Sequence, residues 1–139
     1  MELSRRIRAL KNWLSLRYHG HSAFRESIRK DLAHAGRLAD AVEHEPQLEL
    51  MGRGELSAVC FRYLGEKVTS ETALNLLNAS ILQRTQKRGR VYLSNATVGG
   101  KFCLRACIVN HRTKDSDLDA VVPEVLAAAK ELAAPENAR

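Results

Sequence analysis

The chain has 139 residues, 45% of them hydrophobic and 27% charged, which is the length of one domain with enough apolar content for a real core. Eight glycines, three prolines and the lack of any run of about eighteen apolar residues exclude collagenous, disordered and membrane-spanning classes. Twenty-two Lys and Arg against sixteen Asp and Glu leave a net charge of +6, which favours anionic partners without choosing among nucleic acid, phosphate and carboxylate.

Leu3, Ile7, Leu10 and Leu14 recur at helical spacing, with Ala9, Trp13 and Leu16 on an adjoining stripe. The spacing predicts an amphipathic helix over residues 3 to 19 with an unusually wide apolar arc. Gly20 breaks it, and Ser22 is placed to cap a second helix carrying Phe24, Ile28, Leu32, Ala35, Ala39 and Val42 that ends before Pro46. From Gln47 the period changes to two: Leu48 and Leu50 open a strand, Gly52-Arg53-Gly54 reads as a turn, and Val59, Phe61 and Tyr63 alternate in the strand that returns. Thr69 or Ser70 can cap a third helix bearing Leu74, Leu77, Asn78 and Ile81, which ends at Gly89. VYLSNATV, Gly99-Gly100 and KFCLRACIV form a second hairpin with two glycines at its tip. Asp115 or Ser116 caps the last helix, along which Leu118, Val122, Val125, Ala129 and Leu132 recur.

The order α-α-β-β-α-β-β-α specifies an α+β fold. Two opening helices precede a ββαββα unit whose sheet of about four antiparallel strands is covered by helices on one face. No block repeats with residue identity, so a solenoid is not supported. The opening segment has no signal-peptide core or cleavage site. Cys60, Cys103 and Cys107 are odd in number, form no CxxC pair and fall in apolar alternating segments. Together these features predict a cytoplasmic chain with buried, reduced thiols.

Few residues have the grouping that chemistry requires. His19 and His21 flank Gly20 without further ligands at metal-site spacing, and tetrahedral sites need about four. Cys103 and Cys107 read as packing residues, and His111 as part of a strand-to-helix connection. Gly99-Gly100-Lys101 lacks the remaining residues of a phosphate loop. Charge at the start is the larger anomaly: between Ser4 and Lys30 stand eight Lys or Arg and one acid, Glu26. Such a helix, with Lys87, Arg88 and Arg90 as a second patch, could grip phosphates, so a basic nucleic-acid-binding or protein-interaction module is the alternative reading. Against nucleic acid, aromatic residues are only 5% of the chain and sit at core-like positions, with no base-stacking platform interleaved among the charges. The second anomaly is the wide apolar arc with Trp13, which calls for a further packing partner.

Longer runs carry more information. Ser4-Arg5-Arg6 with Ala9-Leu10-Lys11 and Trp13, the stretch Val59 to Arg62, Leu77-Asn78, and Leu104-Arg105 through Asn110, Arg112, Thr113 and Asp117 make about 130 residues similar to the C-terminal part of the pyridoxal-phosphate-dependent amino-acid decarboxylases. The aromatic-L-amino-acid branch is closer than the glutamate branch. The resemblance implies the small C-terminal α+β domain of a fold-type I enzyme, with residues 1–20 as a helix linking it to a large domain and residues 21–139 as the small domain. It also implies a carboxy-lyase of an aromatic or related L-amino acid, pyridoxal 5'-phosphate as cofactor, and a family homodimer. No membrane partner is implied.

The large domain of such enzymes supplies a Schiff-base lysine preceded by histidine, and no His-Lys pair occurs in this sequence. The expectation is a C-terminal domain or fragment that is inactive alone, does not bind the cofactor covalently, and partners a large domain carried on the same or a separate chain. Arg5 matches the position at which glutamate-decarboxylase relatives place an arginine near the substrate carboxylate, a role suited to a guanidinium fork. Those relatives have Gly-Arg-His where this chain has Ser4-Arg5-Arg6, and an anchoring role for Arg5 against the large domain is the alternative.

Overall fold

A computed structural model describes residues 8–54, 56–65, 68 and 70–133. The chain divides into two compact units, Met1–Lys30 and Asp31–Arg139. The helix α1 runs Arg8–Glu43 and holds one non-helical residue, Gly20, at φ 79° and ψ 157°. The two opening helices expected from the sequence therefore meet without a connecting loop. A single residue at positive φ suffices to interrupt the turn, and glycine pays no Cβ penalty there. Residues 3–7 of the expected helix lie outside the described residues.

In the second unit, β1 (Leu48–Arg53), β2 (Ala58–Tyr63), β3 (Ser94–Val98) and β4 (Lys101–Cys107) form one antiparallel sheet in the order β1-β2-β4-β3. Between β2 and β3 comes α2 (Glu71–Arg88), and after β4 come α3 (Asp115–Asp119) and α4 (Val121–Ala133). The α+β class and the four-stranded antiparallel sheet agree with the sequence pattern. One core takes the inward row Val59, Phe61, Leu104 and Ala106 of the sheet, Ala35, Leu38, Ala39 and Val42 of α1, Ile81 of α2, and Val125 and Ala128 of α4. In the alternate strand row Cys60, Arg105 and Cys107 are half-buried or exposed, whereas Arg62 and Cys103 at the other end of that row are buried.

Several boundaries move for identifiable reasons. Gly52 does not turn the chain: β1 continues to Arg53, and the register with β2 shifts between Leu50 and Gly52, the irregularity a glycine inside a strand commonly marks. The last helix is two. Pro123 has no N–H and its ring would clash with the carbonyl of Asp119 in a continuous helix, so α4 begins anew at Val121 and holds Pro123 in its first turn. The residue before α3 is Lys114, whose backbone N–H donates to the Asp117 carboxylate at 2.9 Å; the cap thus sits one residue earlier than Asp115. Ser70 precedes α2 as expected but makes no side-chain capping bond, and Thr69 lies outside the described residues. Gly89 closes α2 at φ 74°, and Gly99 and Gly100 turn the second hairpin at φ 56° and 79°.

Candidate functional site

The most constrained part of the second unit is where β2 and β4 part. Their pairing runs from Ala58 with Cys107 to Phe61 with Leu104, and the next rung in that register would join Tyr63 to Phe102. Instead α2 supplies the partners. The Asn78 amide oxygen accepts the Tyr63 N–H at 2.8 Å, and its nitrogen donates to the Tyr63 and Leu74 carbonyls, both at 2.9 Å. One helical turn earlier, the Asn75 amide oxygen accepts the Phe102 N–H at 2.8 Å. Two asparagines three apart on one helix face thus replace the lost rung, and Asn78 is fully buried to do so.

Beside this fork, Arg62 is buried and donates to Glu49 and Glu71, each at 2.6 Å, tying β1, β2 and the start of α2 together. On the far side of α2, Arg84 and Arg88 grip Glu131, and Arg88 also holds Glu124 at 2.7 Å. The Arg88 hydrogen bond keeps the Glu124 carboxyl below the ordinary glutamate range, and Arg84 does the same for Glu131. The basic patch expected at Lys87, Arg88 and Arg90 is accordingly smaller, since Arg88 is neutralised. A third cluster joins α1 to α3: Arg37 pairs with Asp115 at 2.8 Å and with Asp119 at 2.7 Å, while the buried His34 places Nε2 3.2 Å from Asp115. None of these carboxylate–cation pairs stands out in the sequence, because the partners are far apart along the chain.

Arg5, the site residue taken from the sequence, lies outside the described residues together with Ser4 and Arg6. His19 and His21 are on α1, where His19 packs edge-on against Tyr18 and Phe24 and His21 Nδ1 is 3.4 Å from Arg25. No group of three or more metal-ligating side chains occurs among the described residues. His111 is exposed before α3. Of the three cysteines only Cys103 is buried; Cys60 is half-buried and Cys107 exposed. The expectation of three buried thiols thus fails at Cys107, which lies on the open side of the sheet near its end.

A cavity of about 290 Å³ lies between α1 and the β1–β2 hairpin, lined by Leu32, Ala35, Gly36, Ala39, Leu56 and Val59 with Arg53. Arg53 is already engaged by Asp40 at 2.6 Å and by Glu43. Pyridoxal phosphate requires a lysine amine for its aldehyde and free donors for its phosphate. The cavity has no lysine and its one cation is committed, so these residues do not fit that cofactor. No described helix is long and apolar enough to cross a membrane.

The fold answers what kind of domain this is. It superposes on Oryza sativa TDC, solved with PLP and tryptamine, with a TM-score of 0.83 and 27% identity over 92% of this chain and 28% of that one. Rhodiola rosea 4-hydroxyphenylacetaldehyde synthase matches with a TM-score of 0.83 and 28% identity over 96% of this chain and 28% of that one. It is therefore an α+β domain of the kind carried by pyridoxal-phosphate-dependent enzymes. The pyridoxal-dependent decarboxylase conserved domain matches residues 1–64. The aromatic-L-amino-acid decarboxylase of Bacillus atrophaeus is 30% identical over 132 residues, covering 95% of this chain and 28% of that enzyme. By sequence and fold the chain is similar to the pyridoxal-dependent decarboxylases, consistent with a C-terminal part of them, and it spans under a third of the length of the relatives it matches.

Proposed function

We propose that the chain serves as the C-terminal domain of a pyridoxal-phosphate-dependent L-amino-acid decarboxylase, a carboxy-lyase acting on an aromatic or related amino acid. The observation that carries this reading is the alignment of 95% of the chain with 28% of an aromatic-L-amino-acid decarboxylase, together with a fold that superposes on Oryza sativa TDC with a TM-score of 0.83. In this reading residues 1–20 link to a large cofactor-binding domain, residues 21–139 form the small domain, and the assembly is a cytoplasmic homodimer. Pyridoxal phosphate supplies the electron sink for loss of CO2 when bound to the complete enzyme. The cofactor's lysine and phosphate donors belong to the large domain, and the isolated chain is inactive.

Arg5 is assigned to the substrate carboxylate, where a planar fork of N–H donors matches two oxygens. The test is co-expression of the chain with the cofactor-binding portion of the Bacillus atrophaeus relative, reading amine formed from tryptophan, tyrosine and 3,4-dihydroxyphenylalanine. Amine is expected only when both parts are present, and steady production by the chain with added cofactor would overturn the reading. Arg5→Lys keeps the charge but loses the fork, so KM should rise roughly tenfold, the equivalent of about 1.4 kcal/mol. An unchanged KM would return Arg5 to an anchoring role.

A further inference from the structure

The two edges of the sheet are finished differently. β1 carries Glu49 and Arg53, and its register with β2 shifts between Leu50 and Gly52; charge and irregularity of this kind keep an edge from taking another strand. β3 reads Ser94-Asn95-Ala96-Thr97-Val98, without charge or proline, and pairs one for one with β4 along its whole length. No strand lies beyond it among the described residues. β3 is a short, regular edge that lacks the devices β1 has.

The hairpin fixes which backbone groups of β3 face outward. Val98 and Lys101 flank the Gly99-Gly100 turn, and the residues on either side of a two-residue turn form a hydrogen-bonded pair. Bonded pairs then recur at Ala96 with Cys103 and at Ser94 with Arg105, while the pairs between them, Thr97 with Phe102 and Asn95 with Leu104, are unbonded. The rest of the sheet agrees: the Phe102 N–H donates to Asn75 and not to β3, and Leu104 is paired on its other side with Phe61 of β2. Asn95 and Thr97 therefore turn both N–H and C=O away from β4, and both residues are exposed.

We propose that β3 pairs antiparallel with β3 of a second copy of the chain, about a twofold axis at Ala96. In that register Asn95 of each copy faces Thr97 of the other and exchanges both backbone bonds with it, Ala96 faces its own mate, and Ser94 faces Val98. The contact is isologous, so every outward group meets a complement supplied by the same strand. No like charges are brought together, and the side chains are small enough for ordinary strand spacing of about 4.8 Å. A foreign strand would find no charge on β3 and no large side chain to read, and specificity in strand addition comes from such features. The interface is small, which places it among weak, concentration-dependent contacts. The proposal stands on the sheet alone and does not need the family reading.

Sedimentation velocity of the full chain from about 0.01 to 1 mM, the range in which weak contacts populate, should show monomer converting to dimer. Over the same range hydrogen exchange at the Asn95 and Thr97 amides should slow at least threefold, while the amides of β1 keep their rates. Thr97→Pro removes an outward N–H without touching the ladder to β4, and should weaken association at least tenfold at unchanged circular dichroism. Asn95→Glu with Thr97→Glu sets like charges opposite one another across the axis and should also weaken it at least tenfold. Asn95→Glu with Thr97→Lys sets opposite charges there and should leave association no weaker than in the unaltered chain; these two pairs carry the test if the proline variant does not fold. A monomer throughout the range, a dimer whose Asn95 and Thr97 amides exchange at the free rate, or charge pairs that act alike would overturn the proposal. None of these results bears on the family reading, which the co-expression experiment tests separately.

Discussion

Replacing Asn78 with alanine removes three hydrogen bonds at the place where β2 and β4 part. The Leu74 carbonyl keeps its helical partner, but the Tyr63 N–H and C=O have no other strand to turn to, since β1 pairs on the opposite edge of Tyr63 through Gln47 and Leu64. Each stranded group costs about 1 to 1.5 kcal/mol in a partly buried setting, and the void left by the amide adds roughly another 0.5 kcal/mol. The expected loss is about 3 kcal/mol. With an unfolding entropy of about 2.1 cal/mol/K per residue over this length, that lowers Tm by about 10 °C. Urea unfolding followed by far-UV circular dichroism measures it directly. Asn78→Leu fills the volume and leaves the same groups stranded, so it should be nearly as damaging. Asn75→Ala, which releases one strong bond to the Phe102 N–H, should lose only about 1 kcal/mol. If Asn78→Leu restored most of the stability lost by Asn78→Ala, packing and not the missing rung would explain the residue. A loss below about 1 kcal/mol for Asn78→Ala would refute the account outright.

Two further outcomes follow from the same structure. Because Arg88 and Arg84 hold the Glu124 and Glu131 carboxyls below their ordinary range, these pairs stabilise the fold above the usual glutamate pKa of about 4.3. That contribution disappears as pH falls through the depressed folded values. Tm should therefore decline on the acid side of that value, and Arg88→Gln should flatten the decline; an acid limb of the same steepness in Arg88→Gln would contradict the assignment. Gly89→Ala forces a Cβ into the left-handed conformation at φ 74° with no atom within 4 Å of it, so the penalty is backbone strain alone. A loss of about 1 kcal/mol is expected in urea titration, and an unchanged midpoint would argue that α2 ends differently.

Much of the architecture can be read from short-range pattern. The three-four spacing of Leu74, Asn78 and Ile81, the alternation of Val59 and Phe61, and the paired glycines after Val98 report backbone periods that any neighbouring structure must respect. Pro123 is an equally local signal for the break between α3 and α4, but the expectation of one last helix through Leu118, Val122 and Val125 passes over it. Gly52 shows the limit of such reading, because a glycine suits a turn and a strand irregularity alike, and only the opposing strand decides between them. The family resemblance was legible for a related reason: runs such as Val59 to Arg62 and Leu104-Arg105 hold residues that must serve strand geometry and side-chain contact together.

The sequence by itself determined the class of the fold, the order of its four strands about the central helix and the family the chain resembles, since these depend on residue types at fixed spacing along one dimension. Tertiary structure decided which charges are spent and which remain available. Arg62, Arg88 and Arg105 are chemically identical and locally similar, yet Glu49 with Glu71 neutralise the first and Glu124 with Glu131 the second, while Arg105 faces Cys60 and Ser94 across the strands. Asn78 likewise reads as one more position on a helix until β2 and β4 diverge in front of it. The physical reason is that an ion pair or a replaced rung depends on the distance between groups tens of residues apart, and that distance exists only once strand register and helix packing have set it.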